Sequence, residues 1–145
     1  MKFSPTKIDG TVRIPSSKSQ SHRALISAAL AGNSTVRGVD VSNDITATVG
    51  ALSALGAKIV HNEASRTFYI GEPCTRGAST TINCGESAST LRFLIPIAAS
   101  LGARVTFVGE GRLPNRPTDI YKPMLEAHGA RLTYPENGDF LPLLI

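Results

Sequence analysis

Three short segments carry side chains suited to holding an anion. The first is S-K-S-Q, beginning at Ser17, with Arg23 close behind it. Ser17 followed three positions later by Gln20 fits a capping box, which puts Lys18 and Ser19 in the first turn of a helix. That turn has free backbone amides and the positive end of the helix dipole, and Lys18, the Ser19 hydroxyl and Arg23 strengthen the attraction for an anion. Ser19 and Arg23 are four positions apart and share one helix face. A cation in the first turn opposes the dipole, a cost that a bound anion would remove. The plainer reading of the same residues is a solvated Ser/Lys capping loop.

The second segment is G-E-S-A-S-T-L-R. It places Glu86, Ser87, Ala88 and Ser89 at another helix start, with Arg92 standing where Arg23 stands in the first. Pro96 interrupts the helix that follows and cannot bond the Arg92 carbonyl, so a kink is expected there. The third segment, GEGRLPNRPTD, holds Arg112 and Arg116 in a loop stiffened by Gly and Pro. Pro117 suits the first turn of a helix and would leave Arg116 at its entrance. The planar fork of Arg matches a carboxylate or a phosphate. Arg112 reads as an ordinary exposed arginine and Arg116 as a functional one. His22, His61 and His128 lack ligand spacing and read as structural or solvated, and Asp44 and Asp119 read as capping residues of later helices.

These segments recur because the chain resembles itself. PSSKSQSHRALISAALAGNSTVRGV, from Pro15, aligns with CGESASTLRFLIPIAASLGARVTFVG, from Cys84. Arg23 meets Arg92, Ala29 meets Ala98, Val36 meets Val105 and Val39 meets Val108, all at one offset. Each unit reads as βαβαββ. A strand over 11–14 or 80–83 leads to a helix over 18–31 or 87–100, then a strand over 35–39 or 104–108 and a helix over 43–55 or 118–128. Gly56 and Gly129 follow as C-terminal caps, with paired strands near 57–60 and 67–70, then 131–134 and 142–145. The fold class is α/β, with repeat 1 over 11–70, repeat 2 over 80–145 and apolar helices packed on sheets.

A chain of 145 residues with 41% hydrophobic content can bury one core of ordinary size. It has neither an apolar run of membrane-spanning length nor a secretory h-region, so no membrane partner and a cytoplasmic location are expected. Cys74 and Cys84 lack a partner His cluster, which indicates neither a metal site nor a disulfide framework. The net charge of +4 is compatible with nucleic acid or with small anions. Lys and Arg do not run in blocks and Trp is absent, which disfavours nucleic acid. The chain stops at FLPLLI, directly after an apolar strand, and this is read as truncation at a repeat boundary, with the remainder of the polypeptide missing.

PSSKSQSHRALISAALA, GESASTLRFLIPIAA and LPNRPTDIYKPMLEAHGA together resemble the 5-enolpyruvylshikimate-3-phosphate synthase family. The resemblance implies an inside-out α/β architecture of two domains with three βαβαββ repeats each, residues 1–145 being part of the first domain. It implies transfer of the enolpyruvyl group of phosphoenolpyruvate to shikimate 3-phosphate with release of phosphate, without metal or organic cofactor. Lys18, Ser19 and Arg23 would hold shikimate 3-phosphate. Lys18, Ala88 and Arg116 would hold phosphoenolpyruvate, Lys18 acting electrostatically on both, with Ser89 and Arg92 as further candidates. The acid and base residues of the family pattern lie outside these residues. The family often has Gly where Ala88 stands, so a narrower phosphoenolpyruvate pocket and weaker glyphosate binding are expected. The related UDP-N-acetylglucosamine enolpyruvyl transferases typically carry a reactive Cys before the Arg-Pro, which Gly109 to Arg116 lacks. A non-catalytic module binding anions or nucleic acid is the other alternative.

Overall fold

A computed structural model describes residues 7, 9–135 and 141–145. Its helices are α1 (Lys18–Ala31), α2 (Asn43–Ala54), α3 (Ala88–Ser100) and α4 (Tyr121–Ala127). Its strands are β1 (Ser34–Arg37), β2 (Ile59–Asn62), β3 (Thr67–Ile70), β4 (Ser79–Asn83), β5 (Arg104–Val108) and β6 (Leu143–Leu144). One sheet has the antiparallel order β1-β3-β2; the other has the order β4-β5-β6, with β4 and β5 parallel and joined through α3. The architecture is α/β, as the alternation of elements implies.

α1, α2 and α3 form where a serine can cap them, and the helices stop where glycine can turn the chain. Ser17, Ser42 and Ser87 each accept a hydrogen bond from an amide three residues on. After α2 and α4, Gly56 and Gly129 take positive φ, and their amides and those of Ala57 and Ala130 return to the last carbonyls of the helix in a Schellman pattern. α3 ends the same way at Gly102, and the LGA shared by residues 55–57 and 101–103 is the sequence signal for it.

α1, α2 and α3 pack against one another, and α2 also lies on β4, so one apolar cluster runs through both sheets. Leu25, Ile45, Leu52 and Leu55 fill its first half, and Leu91, Leu94, Ile95, Val105 and Phe107 its second. Leu94 is fully buried, so Leu94→Ala is expected to cost about 3 to 4 kcal/mol through lost contacts and the cavity left behind. Urea denaturation measures it, and a cost below about 1 kcal/mol would contradict this packing.

Three expected elements differ. Residues 11–14 form no strand: Val12 and Ile14 are 81% and 79% exposed, and a strand exists only where a neighbour takes up its backbone groups. The helix expected over 118–128 starts three residues late. Pro123 has no N–H to donate to the Asp119 carbonyl, the Lys122 amide takes it instead, and residues before Tyr121 remain in turns, with Pro117 outside the helix. The strand expected over 131–134 reduces to one bridge, Thr133 with Leu144, beside a β6 of two residues.

Candidate anion-binding site

The start of α1 is held from behind. The Ser16 amide donates to Asp40 Oδ2 at 2.6 Å, and the Asp40 amide donates to Ser16 Oγ at 2.8 Å. Arg66 pairs with the same Asp40 carboxylate and donates to the Gly38 carbonyl at 3.2 Å. The Ser16 amide, and after it Arg66 and Arg13, hold the Asp40 carboxyl below its ordinary pKa, against some desolvation. A depressed carboxyl stabilises the fold above its unfolded pKa and loses that contribution as pH falls through its lower folded value. Denaturation midpoints measured from pH 6 down to pH 2 are therefore expected to fall less steeply for Asp40→Asn than for the parent chain. Identical slopes would show that this carboxylate clamps nothing.

Ser17 caps α1 by accepting from the Gln20 amide at 3.4 Å, and Lys18 and Ser19 stand exposed in the first turn. Lys18 Nζ is 2.7 Å from Asp44 Oδ2. Asp44 is thus not the cap of α2, since Ser42 does that, but an acid in its first turn, where the dipole favours it, serving as counter-ion to Lys18. Asp119 caps nothing either, because the N-cap of α4 is Ile120, which offers no side-chain bond.

At the start of α3, Ser87 Oγ accepts from the Thr90 amide at 3.2 Å and from the Thr90 hydroxyl at 2.7 Å. Ala88, half-buried, is the first helical residue; Ser89 and, one turn on, Arg92 are exposed. The preceding loop is laced to the arginine loop: the Glu110 amide donates to the Gly85 carbonyl and Asn83 Nδ2 to Glu110 Oε1, both at 2.8 Å, and the Arg112 amide to Glu86 Oε1 at 3.4 Å. Gly111, at φ +56°, lies so close to the Glu86 carboxylate that any Cβ would collide with it. Buried Leu113 anchors the loop from inside and its carbonyl accepts from the Arg116 amide at 3.0 Å. The Arg92 carbonyl freed by Pro96 accepts from the Tyr121 hydroxyl at 3.3 Å, which ties the far end of the loop to α3.

The structure therefore joins the loop before Ala88 to the loop that carries Arg116, and Lys18 to the start of α3 through Asp44, whose carbonyl also lies 3.4 Å from the Thr90 hydroxyl. Arg23 and Arg92 are separate exposed residues on α1 and α3. The side chains of Ser19, Arg23, Ser89, Arg92, Arg112 and Arg116 have no hydrogen bond or ion pair among the described residues. Clefts of about 320 Å³ over α2 and β3 and about 270 Å³ between α3 and α4 are lined mainly by apolar residues and by none of these groups. The candidate site is an open face.

Sequence reasoning missed the buried polar residues behind that face. His22 Nδ1 lies 2.7 Å from Thr48 Oγ1, and Thr48 Oγ1 lies 2.7 Å from Thr90 Oγ1, so a hydrogen-bonded line crosses from α1 through α2 to the cap of α3. Desolvation lowers the pKa of His22; Asp44 pulls it back up, and Lys18 adds a smaller lowering. The available signal was a pair of threonines set into apolar helix stripes, Thr48 between Ile45 and Leu52 and Thr90 beside Leu91 and Leu94.

The chain is an α/β protein with two serine-capped helix starts and exposed arginines, groups of a kind suited to phosphate or carboxylate. Residues 3–145 match the EPSP synthase (3-phosphoshikimate 1-carboxyvinyltransferase) family, and the chain belongs to it. It is 45% identical over 143 residues to the 3-phosphoshikimate 1-carboxyvinyltransferase of Clostridium beijerinckii, covering 94% of this chain and 33% of that one. It is 41% identical over 152 residues to that of Clostridium kluyveri, covering 100% and 34%. The chain thus spans about a third of the length of these curated relatives. The solved EPSP synthase from Acinetobacter baumannii shares the fold, with a TM-score of 0.76 at 22% identity over 94% of this chain and 32% of that one. Among the described residues, no helix is long and apolar enough to cross a membrane.

Proposed function

We propose that this chain contributes the anion-binding face of a 3-phosphoshikimate 1-carboxyvinyltransferase. In this reading Lys18, Ser19 and Arg23 at the start of α1 hold shikimate 3-phosphate, and Lys18, Ala88 and Arg116 hold phosphoenolpyruvate, with Ser89 and Arg92 at its margin. The enolpyruvyl group passes to a shikimate hydroxyl and phosphate leaves. The part played here is orientation of two polyanions and stabilisation of developing charge by Lys18 and the arginines. Residues 11–70 and 80–145 serve as the two repeats that carry the two helix starts, within a first domain, in a cytoplasmic enzyme. The observation that carries the reading is the pairing of two capped helix starts, tied together at Asp44, with Arg23, Arg92 and Arg116 unpaired among the described residues.

NMR titration of the chain with shikimate 3-phosphate tests it. Amide shifts are expected at residues 17–23, with weak affinity, because an open face leaves its ligand solvated. Shifts confined to distant residues would sink the assignment. Mixed with phosphoenolpyruvate and shikimate 3-phosphate, the chain alone is expected to release no phosphate above background, since these residues offer anion-binding groups without an assigned general acid or base. Robust turnover would refute that division of labour.

A further inference from the structure

We propose that the buried line His22–Thr48–Thr90–Ser87 is a one-way hydrogen-bonded chain that positions the two anion-facing helix starts relative to each other, with His22 as the Nδ1–H tautomer at its head. Each hydroxyl carries a single proton, and that count fixes the direction. Thr90 donates to the cap oxygen of Ser87 at 2.7 Å. Its proton is then used, so the 2.7 Å contact is closed by the Thr48 proton, for which Thr90 Oγ1 and the Asp44 carbonyl are the two acceptors. Thr48 in turn has no proton left for the imidazole 2.7 Å away, so His22 must donate from Nδ1. This leaves Nε2 as a bare lone pair, and Nε2 is indeed buried without a partner among the described residues. The carbonyl of Asp44, 3.1 Å from Thr48 Oγ1 and 3.4 Å from Thr90 Oγ1, shares these protons from the side, which fastens the first turn of α2 to the same line.

All four side chains are buried: His22 at 1%, Ser87 at 2%, and Thr48 and Thr90 at 0% exposure. In such surroundings a broken link strands two polar atoms, so the helices are held in the register that keeps the line whole. α1 presents Lys18 and Ser19 one turn before His22, and α3 presents Ala88 and Ser89 between Ser87 and Thr90. The line thus fixes the gap between the groups read above as binding the two substrates, and the functional half of the inference rests on that reading. The charged groups that face His22 are Lys18 on its own helix and Asp44 on α2; α3 offers it the Phe93 ring, with centroids 6.4 Å apart. Burial keeps the imidazole neutral, as a single-tautomer donor requires.

The test is imidazole nitrogen NMR on the chain, with Thr48→Val and Thr48→Ser beside the parent. The parent is expected to show a protonated Nδ1 and an unprotonated Nε2 at His22; the opposite tautomer overturns the one-way chain without any variant being made. Thr48→Val should shift the amides of both Ser19–Gln20 and Ala88–Ser89 and weaken shikimate 3-phosphate binding about five- to tenfold, while Thr48→Ser, which keeps the hydroxyl, restores both. Shifts at one helix start only, or loss in the serine variant equal to that in valine, would overturn the positioning role. If the parent does not bind shikimate 3-phosphate, the functional reading fails, and the tautomer and the paired amide shifts still decide the positioning claim.

Discussion

Lys18→Gln is expected to lower kcat/KM of the enzyme containing this chain by roughly a hundred- to a thousandfold, the scale seen when one preorganised electrostatic donor is removed. Lys18 pairs with Asp44 at 2.7 Å, but the lysine side chain is 58% exposed. An ion pair so open to water is worth about 0 to 1 kcal/mol. Turning the ammonium toward a phosphate dianion therefore costs little and gains charge-assisted hydrogen bonds of about 1.5 to 3 kcal/mol. Gln keeps a donor of similar reach but no charge. Folding stability is expected to stay within about 0.5 kcal/mol of the parent. Steady-state kinetics alongside urea denaturation separates the two effects, and unchanged kcat/KM would remove Lys18 from the site.

The second large effect belongs to Ala88. It is half-buried at the first position of α3, behind the Ser87 cap and beside the loop laced to Arg116. A methyl group at such a helix start takes space from whatever approaches the free amides, and a small overlap in a packed site costs about 1 to 3 kcal/mol, on the order of ten- to a hundredfold in affinity. The longer of two ligands for one pocket loses more. Ala88→Gly is thus expected to tighten glyphosate inhibition of the complete enzyme by ten- to a hundredfold while preserving or improving the Michaelis constant for phosphoenolpyruvate. Equal inhibition constants for the two forms would mean that this methyl group does not govern discrimination.

What could be read from the sequence was decided locally. The start of α1 was legible because Ser17, Lys18, Ser19 and Gln20 are contiguous and a serine cap acts over three residues. The strand, helix, strand order of β4, α3 and β5 was legible too, as were the glycine stops at Gly56 and Gly129. Residues 11–14 and 131–134 were misjudged because period-two apolarity says only that a segment suits a sheet, whereas a strand needs a neighbour to bond. The late start of α4 turned on Pro123, the sixth residue of the expected helix, whose missing proton outweighs the helix propensity around it. At the site, the arginines and Lys18 were visible as residue types. Their supports, Asp40 with Arg66 and Thr48 with Thr90, come from segments more than twenty residues apart and acquire meaning only once the chain folds.

Pro96 was expected merely to bend α3. Its consequence reaches further, because the acceptor it vacates at Arg92 becomes a socket that the Tyr121 hydroxyl plugs. A defect in one helix thereby serves as the mooring for the segment that carries Arg116. Order in that segment thus draws on a phenolic oxygen as well as on buried Leu113 and the bonds of Glu110 and Arg112 to the loop before α3. A helix regularised by exchanging Pro96 for alanine would fill the socket with its own amide and cast the mooring off, so a change that improves α3 in isolation would loosen the arginine loop beside it.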